Sequence, residues 1–100
     1  MNEYLLLMHD DATDPAVAQD GGRWGHYLAG LRADAGFDGG STMGAGRVHR
    51  QRATPAPVSA ALTGFLRVRA DSLQDAERFL AGNPVYEGGG TVEIRELPRD

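Results

Sequence analysis

The chain of 100 residues contains no cysteine and no lysine. Without cysteine there is no disulfide, no thiolate nucleophile and no Cys-based zinc or iron–sulfur centre. Without lysine there is no Schiff-base chemistry, and the 14 glycines cannot form a Gly-rich phosphate loop of the kind that ends in lysine. Long apolar runs are also absent. The opening run, Tyr4-Leu5-Leu6-Leu7-Met8, is far shorter than the roughly 18 residues of a membrane span, and no basic segment precedes it as in an export signal. These absences point to a soluble, cytoplasmic protein with no membrane partner. Large apolar side chains are scarce: Leu, Ile, Val and Phe total 20 (10, 1, 6 and 3), at the edge of what a folded core needs. A single domain spanning residues 1–100 with so thin a core is marginal alone, so a homodimer burying one face is expected.

The net charge of −4 is unevenly distributed. Residues 1–38 hold seven acids and two Arg, residues 39–70 hold five Arg and no acid, and residues 71–100 hold seven acids and three Arg. The middle third includes Arg47-Val48-His49-Arg50-Gln51-Arg52, whose positive charge is expected to be matched by carboxylates within the molecule or across subunits, with attraction of an anion as the alternative. Nucleic acid is not an expected partner. The chain is acidic overall, and its basic segment lacks interleaved aromatics for base stacking.

The order of elements reads β-α-β-β-α-β. Residues 3–9 form an apolar strand of the kind buried on both faces. A loop follows, with Pro15 placed to open a turn of helix. Trp24, Leu28, Leu31 and Ala35 recur at helical period over residues 23–35, with Gly36 to end the helix. His26 lies about 200° around from Trp24 and so off the core stripe. The five glycines of residues 36–46 predict a loop. Residues 47–52 predict a polar edge strand. From 62 to 70, Leu62, Gly64, Leu66 and Val68 alternate with Thr63, Phe65, Arg67 and Arg69, a half-apolar strand. Asp71-Ser72 caps a second helix that buries Leu73, Ala76, Phe79 and Leu80 and stops at Gly82. The last strand, 91–97, sets Val92 and Ile94 against Glu93 and Arg95. Two such strands imply a sheet with helices over one face and a charged second face that meets water or a partner.

Several segments in this order resemble the YCII-related family of YciI-like and DGPF-domain proteins. They are Tyr4-Leu5-Leu6-Leu7-Met8-His9-Asp10, the helix with Trp24, His26, Tyr27 and Leu28, and the pair Gly39-Gly40. Gly64-Phe65-Leu66-Arg67-Val68, Asp71-Ser72-Leu73-Gln74-Asp75-Ala76, Asn83-Pro84 and Val92-Glu93-Ile94-Arg95-Glu96-Leu97 complete the match, which covers nearly the whole chain. The resemblance implies an α+β, ferredoxin-like βαββαβ fold with a four-stranded antiparallel sheet, paired face to face as a dimeric α/β-barrel. Where DGPF proteins carry Asp-Gly-Pro-Phe, this chain has Ala53-Thr54-Pro55-Ala56-Pro57-Val58-Ser59, so nothing tied to that motif transfers.

A site is expected beside Asp10, because the end of a buried strand holds a side chain rigidly while the following loop leaves access. The resemblance implies a catalytic dyad of His26 and Asp10, a carboxylate orienting an imidazole for acid–base work near neutral pH. His9, Tyr27, Gly40 and Met43 are the expected ligand contacts around it. No metal site is expected, since His9, Asp10, His26, His49 and Asp14 show no recognised ligand spacing. No Gly-x-Ser-x-Gly frame suggests a serine hydrolase. The expected activity is that of a small cofactor-free enzyme or enzyme-like protein. Its ligand is a small anionic or aromatic molecule, and its chemistry is of the lyase or isomerase type. A non-catalytic ligand-binding or regulatory dimer is the alternative.

Overall fold

The computed structural model describes residues 1–58 and 60–99. In chain order the elements are β1 (Asn2–His9), α1 (Pro15–Ala18), α2 (Gly21–Arg32), β2 (Phe37–Thr42), β3 (Arg47–Val48), β4 (Ala56–Pro57), β5 (Leu62–Ala70), α3 (Leu73–Ala76), α4 (Pro84–Glu87) and β6 (Val92–Leu97). A 3-10 turn at Glu77–Leu80 prolongs α3. The main sheet has the order β2-β5-β1-β6, and its pairs are all antiparallel. This is the ferredoxin-like α+β arrangement that the sequence predicts.

Alternation along the two central strands decides which face meets the helices. Tyr4, Leu6 and Met8 of β1 and Leu66, Val68 and Ala70 of β5 are buried on one face, where Tyr27, Leu31, Ala76, Phe79 and Val85 pack on them. On the other face lie Leu5, Leu7 and Phe65, only half covered. Leu7 stands opposite Phe65 on β5 and Glu93 on β6. Ion pairs frame this apolar row: Arg67–Glu3 at 3.2 Å, Arg69–Asp38 at 2.9 Å and Arg95–Glu93 at 2.5 Å. The arginines of this face thus meet carboxylates within their own chain.

The helices begin where side chains cap them. Asp14 accepts a hydrogen bond from the Val17 amide ahead of α1, and Asp20 accepts one from Arg23 N at 2.8 Å ahead of α2. Ser72 does the same for Asp75 N at 3.0 Å, while Asp75 accepts from Asp71 N at 3.0 Å. Asn83 caps α4, a turn that the sequence pattern does not announce because Pro84 reads as a stop but serves as the first residue of a new helix.

Four expectations are corrected. The glycine-rich segment after Gly36 is not a loop: residues 37–42 are the edge strand β2, paired with β5 through Gly40↔Leu66, Ser41↔Phe65 and Thr42↔Gly64. Its register breaks between Phe37 and Gly40, where Gly39 has φ +96°, a left-handed conformation that glycine adopts without strain. Residues 47–52 do not join the main sheet. Only Arg47–Val48 is extended, pairing with Ala56–Pro57 in a separate two-stranded arm. The first long helix spans Gly21–Arg32 rather than 23–35: Asp20 caps it and so starts it two residues early, and Ala33 is its C-cap. Leu73, expected in the core, is 51% exposed: it is the first residue of a helix only four residues long, in which Ala76 alone is buried. Ser59, the end of the segment that replaces Asp-Gly-Pro-Phe, lies outside the described residues.

Candidate functional site

A cavity of about 760 Å³ opens between α2, the end of β1 and the edge formed by β2 and β5. Its volume is in the range of small-molecule sites, roughly 300–1,000 Å³. Trp24, Leu28 and Arg32, spaced four residues apart on one face of α2, form one wall. Met8, Phe37, Leu66 and Val85 extend the apolar lining, and Ser41, Thr42 and Thr63 supply hydroxyls. His9, Asp10 and Gln19 lie along it at the end where β1 stops.

The wall residues are held by specific bonds. The Trp24 indole Nε1 donates to the Ala18 carbonyl at 2.7 Å, fixing its ring and tying α2 to α1. Trp24 also meets Tyr27 edge-on, with ring centroids 5.8 Å apart. Gly40 runs so close to β5 that a Cβ there would meet the Phe65 carbonyl oxygen at 2.2 Å, so the backbone itself forms this part of the wall. The loop after β1 is anchored on both sides: Asp10 N donates to Ala61 O at 2.8 Å, and Asp11 accepts from Thr91 N at 2.7 Å and from the Thr91 hydroxyl. The Thr91 hydroxyl, and then its amide, hold the Asp11 carboxyl below the usual carboxylate range.

Of the residues expected to act here, the structure brings some together and not others. His9, Asp10 and Gly40 line the cavity. Tyr27 does not. It is buried in the core, and its hydroxyl donates to the Phe79 carbonyl at 2.6 Å. Burial pushes its phenol pKa up. Trp24, which the periodicity assigns to the core, takes the place at the cavity wall. Met43, 41% exposed, lies just beyond β2 and outside the lining. His26 is exposed on α2, away from the Trp24–Leu28–Arg32 wall, and among the described residues no hydrogen bond joins it to Asp10. His9 makes a different carboxylate contact: its Nε2 lies 3.0 Å from Oε1 of Glu93, which stands opposite Leu7 on β6 and is not among the cavity's lining residues. Arg95 first, and His9 second, hold the Glu93 carboxyl below its ordinary value. Among the described residues no group of three or more His, Cys, Asp or Glu is placed to hold a metal ion.

Two participants escaped the sequence. The partner of His9 is 84 residues away, and only the β1–β6 pairing reveals it. Arg32 had a signal in its spacing, eight residues after Trp24, but an arginine in the last helical turn is also what favourable interaction with the helix dipole would place there.

No family model matches the chain, and no curated protein matches it. Among solved structures, one similar fold is that of 5-chloro-2-hydroxyhydroquinone dehydrochlorinase (TftG) from Burkholderia phenoliruptrix AC1100 in complex with 2,5-dihydroxybenzoquinone. The TM-score is 0.61 with 19% sequence identity, over 98% of this chain and 95% of that one. At that identity the likeness is one of fold, and it extends along essentially the whole of both chains.

Proposed function

We propose that the chain is an enzyme-like protein of YCII-related type that binds a small aromatic molecule in this cavity and performs acid–base chemistry on it. The observation that carries the reading is the cavity itself: a ring-sized space with Trp24 and Leu28 for walls and His9 and Asp10 at one end. When His9 Nε2 carries the proton and donates to Glu93, Nδ1 is left with its lone pair free, the arrangement of a general base. Asp10 then offers a second carboxylate to a hydroxyl of the ligand. Lyase and isomerase steps that move a proton and expel a leaving group need no more than such a pair. The similar fold that binds 2,5-dihydroxybenzoquinone supports an aromatic ligand, and the neighbour's activity makes elimination from a hydroxylated ring the first reaction to try.

The half-covered row of Leu5, Leu7 and Phe65 supports a homodimer closed sheet to sheet, since apolar side chains framed by ion pairs are what an interface core with a polar rim presents. A second reading, a ligand-binding dimer without catalysis, is favoured by one observation: Asp10 and His26 make no hydrogen bond with one another among the described residues.

Trp24 is the single tryptophan and lines the cavity, so its emission reports occupancy directly. Titration with 2,5-dihydroxybenzoquinone and with hydroquinone, confirmed by calorimetry to exclude collisional quenching, is expected to give saturable binding at one site per chain. Absence of saturable heat with both compounds would overturn the reading. Turnover separates its two forms: His9→Gln lowers an enzyme's rate by about 10²-fold or more while leaving binding within a few-fold.

A further inference from the structure

We infer that the cavity selects a ligand carrying an anionic group, bound by Arg32, with its hydroxyl end turned toward His9 and Asp10; this rests on the aromatic-ligand reading above and assigns its substrate class. Three observations lead there. Arg32 is the only arginine or lysine side chain among the cavity's described lining residues, and among the described residues its guanidinium makes no ion pair and no side-chain hydrogen bond. Arg67, Arg69, Arg78 and Arg95 hold carboxylates within 4.0 Å and Arg99 donates to the Met1 carbonyl, while Arg23, Arg47, Arg50 and Arg52, also without a side-chain partner among the described residues, do not line this cavity. A cation left without a carboxylate at the end of an apolar wall is available to a ligand, and its planar fork suits a carboxylate or phenolate.

The charges of the cavity also set a direction. Trp24, Leu28 and Arg32 follow one another at four-residue intervals, so the guanidinium's helical position is about 12 Å beyond that of the indole. Asp10 lies at the C-terminal end of β1, near which α2 begins, whereas Arg32 is the last residue of α2. An anionic group is repelled from the Asp10 end, where Asp11 is also held ionised by Thr91, and attracted to the Arg32 end. A monocyclic aromatic acid with its carboxylate at Arg32 lays its ring over Leu28, with its far end directed toward Trp24. Its hydroxyl then faces the Asp10 end of the cavity. A neutral ring of the same shape has no such preference and loses the charge-assisted bonds.

The test uses an isosteric pair, 4-hydroxybenzoate and 4-hydroxybenzyl alcohol, titrated into the full chain and its Arg32→Gln and Arg32→Lys variants. The readouts are calorimetry and the single Trp24 indole N–H resonance. For wild type, 4-hydroxybenzoate is expected to bind about tenfold or more tightly than the alcohol. Arg32→Gln should remove that difference while changing the alcohol's affinity less than about twofold, and Arg32→Lys should restore part of it. Because Arg32 is exposed at a helix end, the variants are expected to fold, which their melting temperatures check. Equal wild-type affinity for the two compounds, or a preference for the acid that survives Arg32→Gln, overturns the inference and leaves the aromatic site standing. Binding of neither compound overturns both.

Discussion

Replacing Gly40 by alanine adds one methyl group at a site with no room for it. A Cβ there would lie 2.2 Å from the Phe65 carbonyl oxygen, 2.9 Å from Leu66 Cδ2 and 3.0 Å from Leu66 Cα, and two of those three atoms are backbone of the central strand β5. No side-chain rotation relieves a clash with a main-chain carbonyl, so β2 must withdraw from β5. Overpacking of this kind costs about 1–3 kcal/mol, and each strand hydrogen bond lost with the withdrawal adds about 1 kcal/mol. With one such bond lost the sum is roughly 2–4 kcal/mol, a large part of the ~5–15 kcal/mol that holds a domain of this size together. The same substitution at Gly30, on the exposed face of α2 with nothing within 4 Å, should instead stabilise by about 0.5–1 kcal/mol through helix propensity. Urea unfolding of the three proteins at one fixed concentration, followed by Trp24 emission, measures both effects, the fixed concentration removing any contribution from association. If Gly40→Ala stays within about 1 kcal/mol of wild type, the close β2–β5 approach is wrong, and with it the backbone wall of the cavity.

Tyr27→Phe removes the 2.6 Å bond to the Phe79 carbonyl and should cost about 1 kcal/mol in the same unfolding assay. The Tyr27 phenol is raised above 10.0 in the folded state, so its contribution is complete below pH 10 and is lost as pH rises through the raised value. With no lysine or cysteine titrating in that window, the alkaline decline should be visible in thermal melts and smaller in Tyr27→Phe, and equal declines would refute the assignment. On the acid side, Asp34, lowered chiefly by its bond to Arg78, loses its contribution as pH falls from the ordinary carboxylate value of 3.8 through the depressed one. Arg78→Gln should flatten that part of the stability profile, measured between pH 5 and the acid transition. His26→Gln should leave ligand binding and any turnover within about twofold because the side chain is exposed and outside the cavity lining, whereas a loss as large as that of His9→Gln would restore the dyad implied by family resemblance. Leu7→Asp, in the centre of the uncovered sheet face, should convert a dimer to a monomer by light scattering, and a wild-type mass near 10.7 kDa at micromolar concentration would refute the sheet-to-sheet pairing.

Periodicity in the sequence was enough to determine the two central strands, the Trp24–Leu31 helix and the two faces of β5; the apolar run of β1 reads as buried on both faces, and only the tertiary structure covers Tyr4, Leu6 and Met8 while leaving Leu5 and Leu7 half exposed. Alternation and the 3.6-residue repeat are local properties, and residues such as Leu6, Leu31 and Val68 have no other way to leave water. The position of the cavity at the end of β1 was legible too, since Asp10 ends an apolar strand and the following loop leaves access. Other features were decided only by contacts between distant segments. Glycines at 39 and 40 read as loop until β5 lies beside them, and then the missing side chains are what allow a bulged strand to pair so closely. Trp24 and Tyr27 share one helix and nearly one face. Which of them lines the cavity and which fills the core depends on the carbonyls that receive their polar atoms, Ala18 for one and Phe79, 52 residues away, for the other. His9 found its carboxylate on β6 rather than on a neighbouring loop because antiparallel pairing, a long-range choice, sets Glu93 beside it. Helix phase could place His26 away from the core, but a partner for it, like any contact across the sheet, is a property of the tertiary structure.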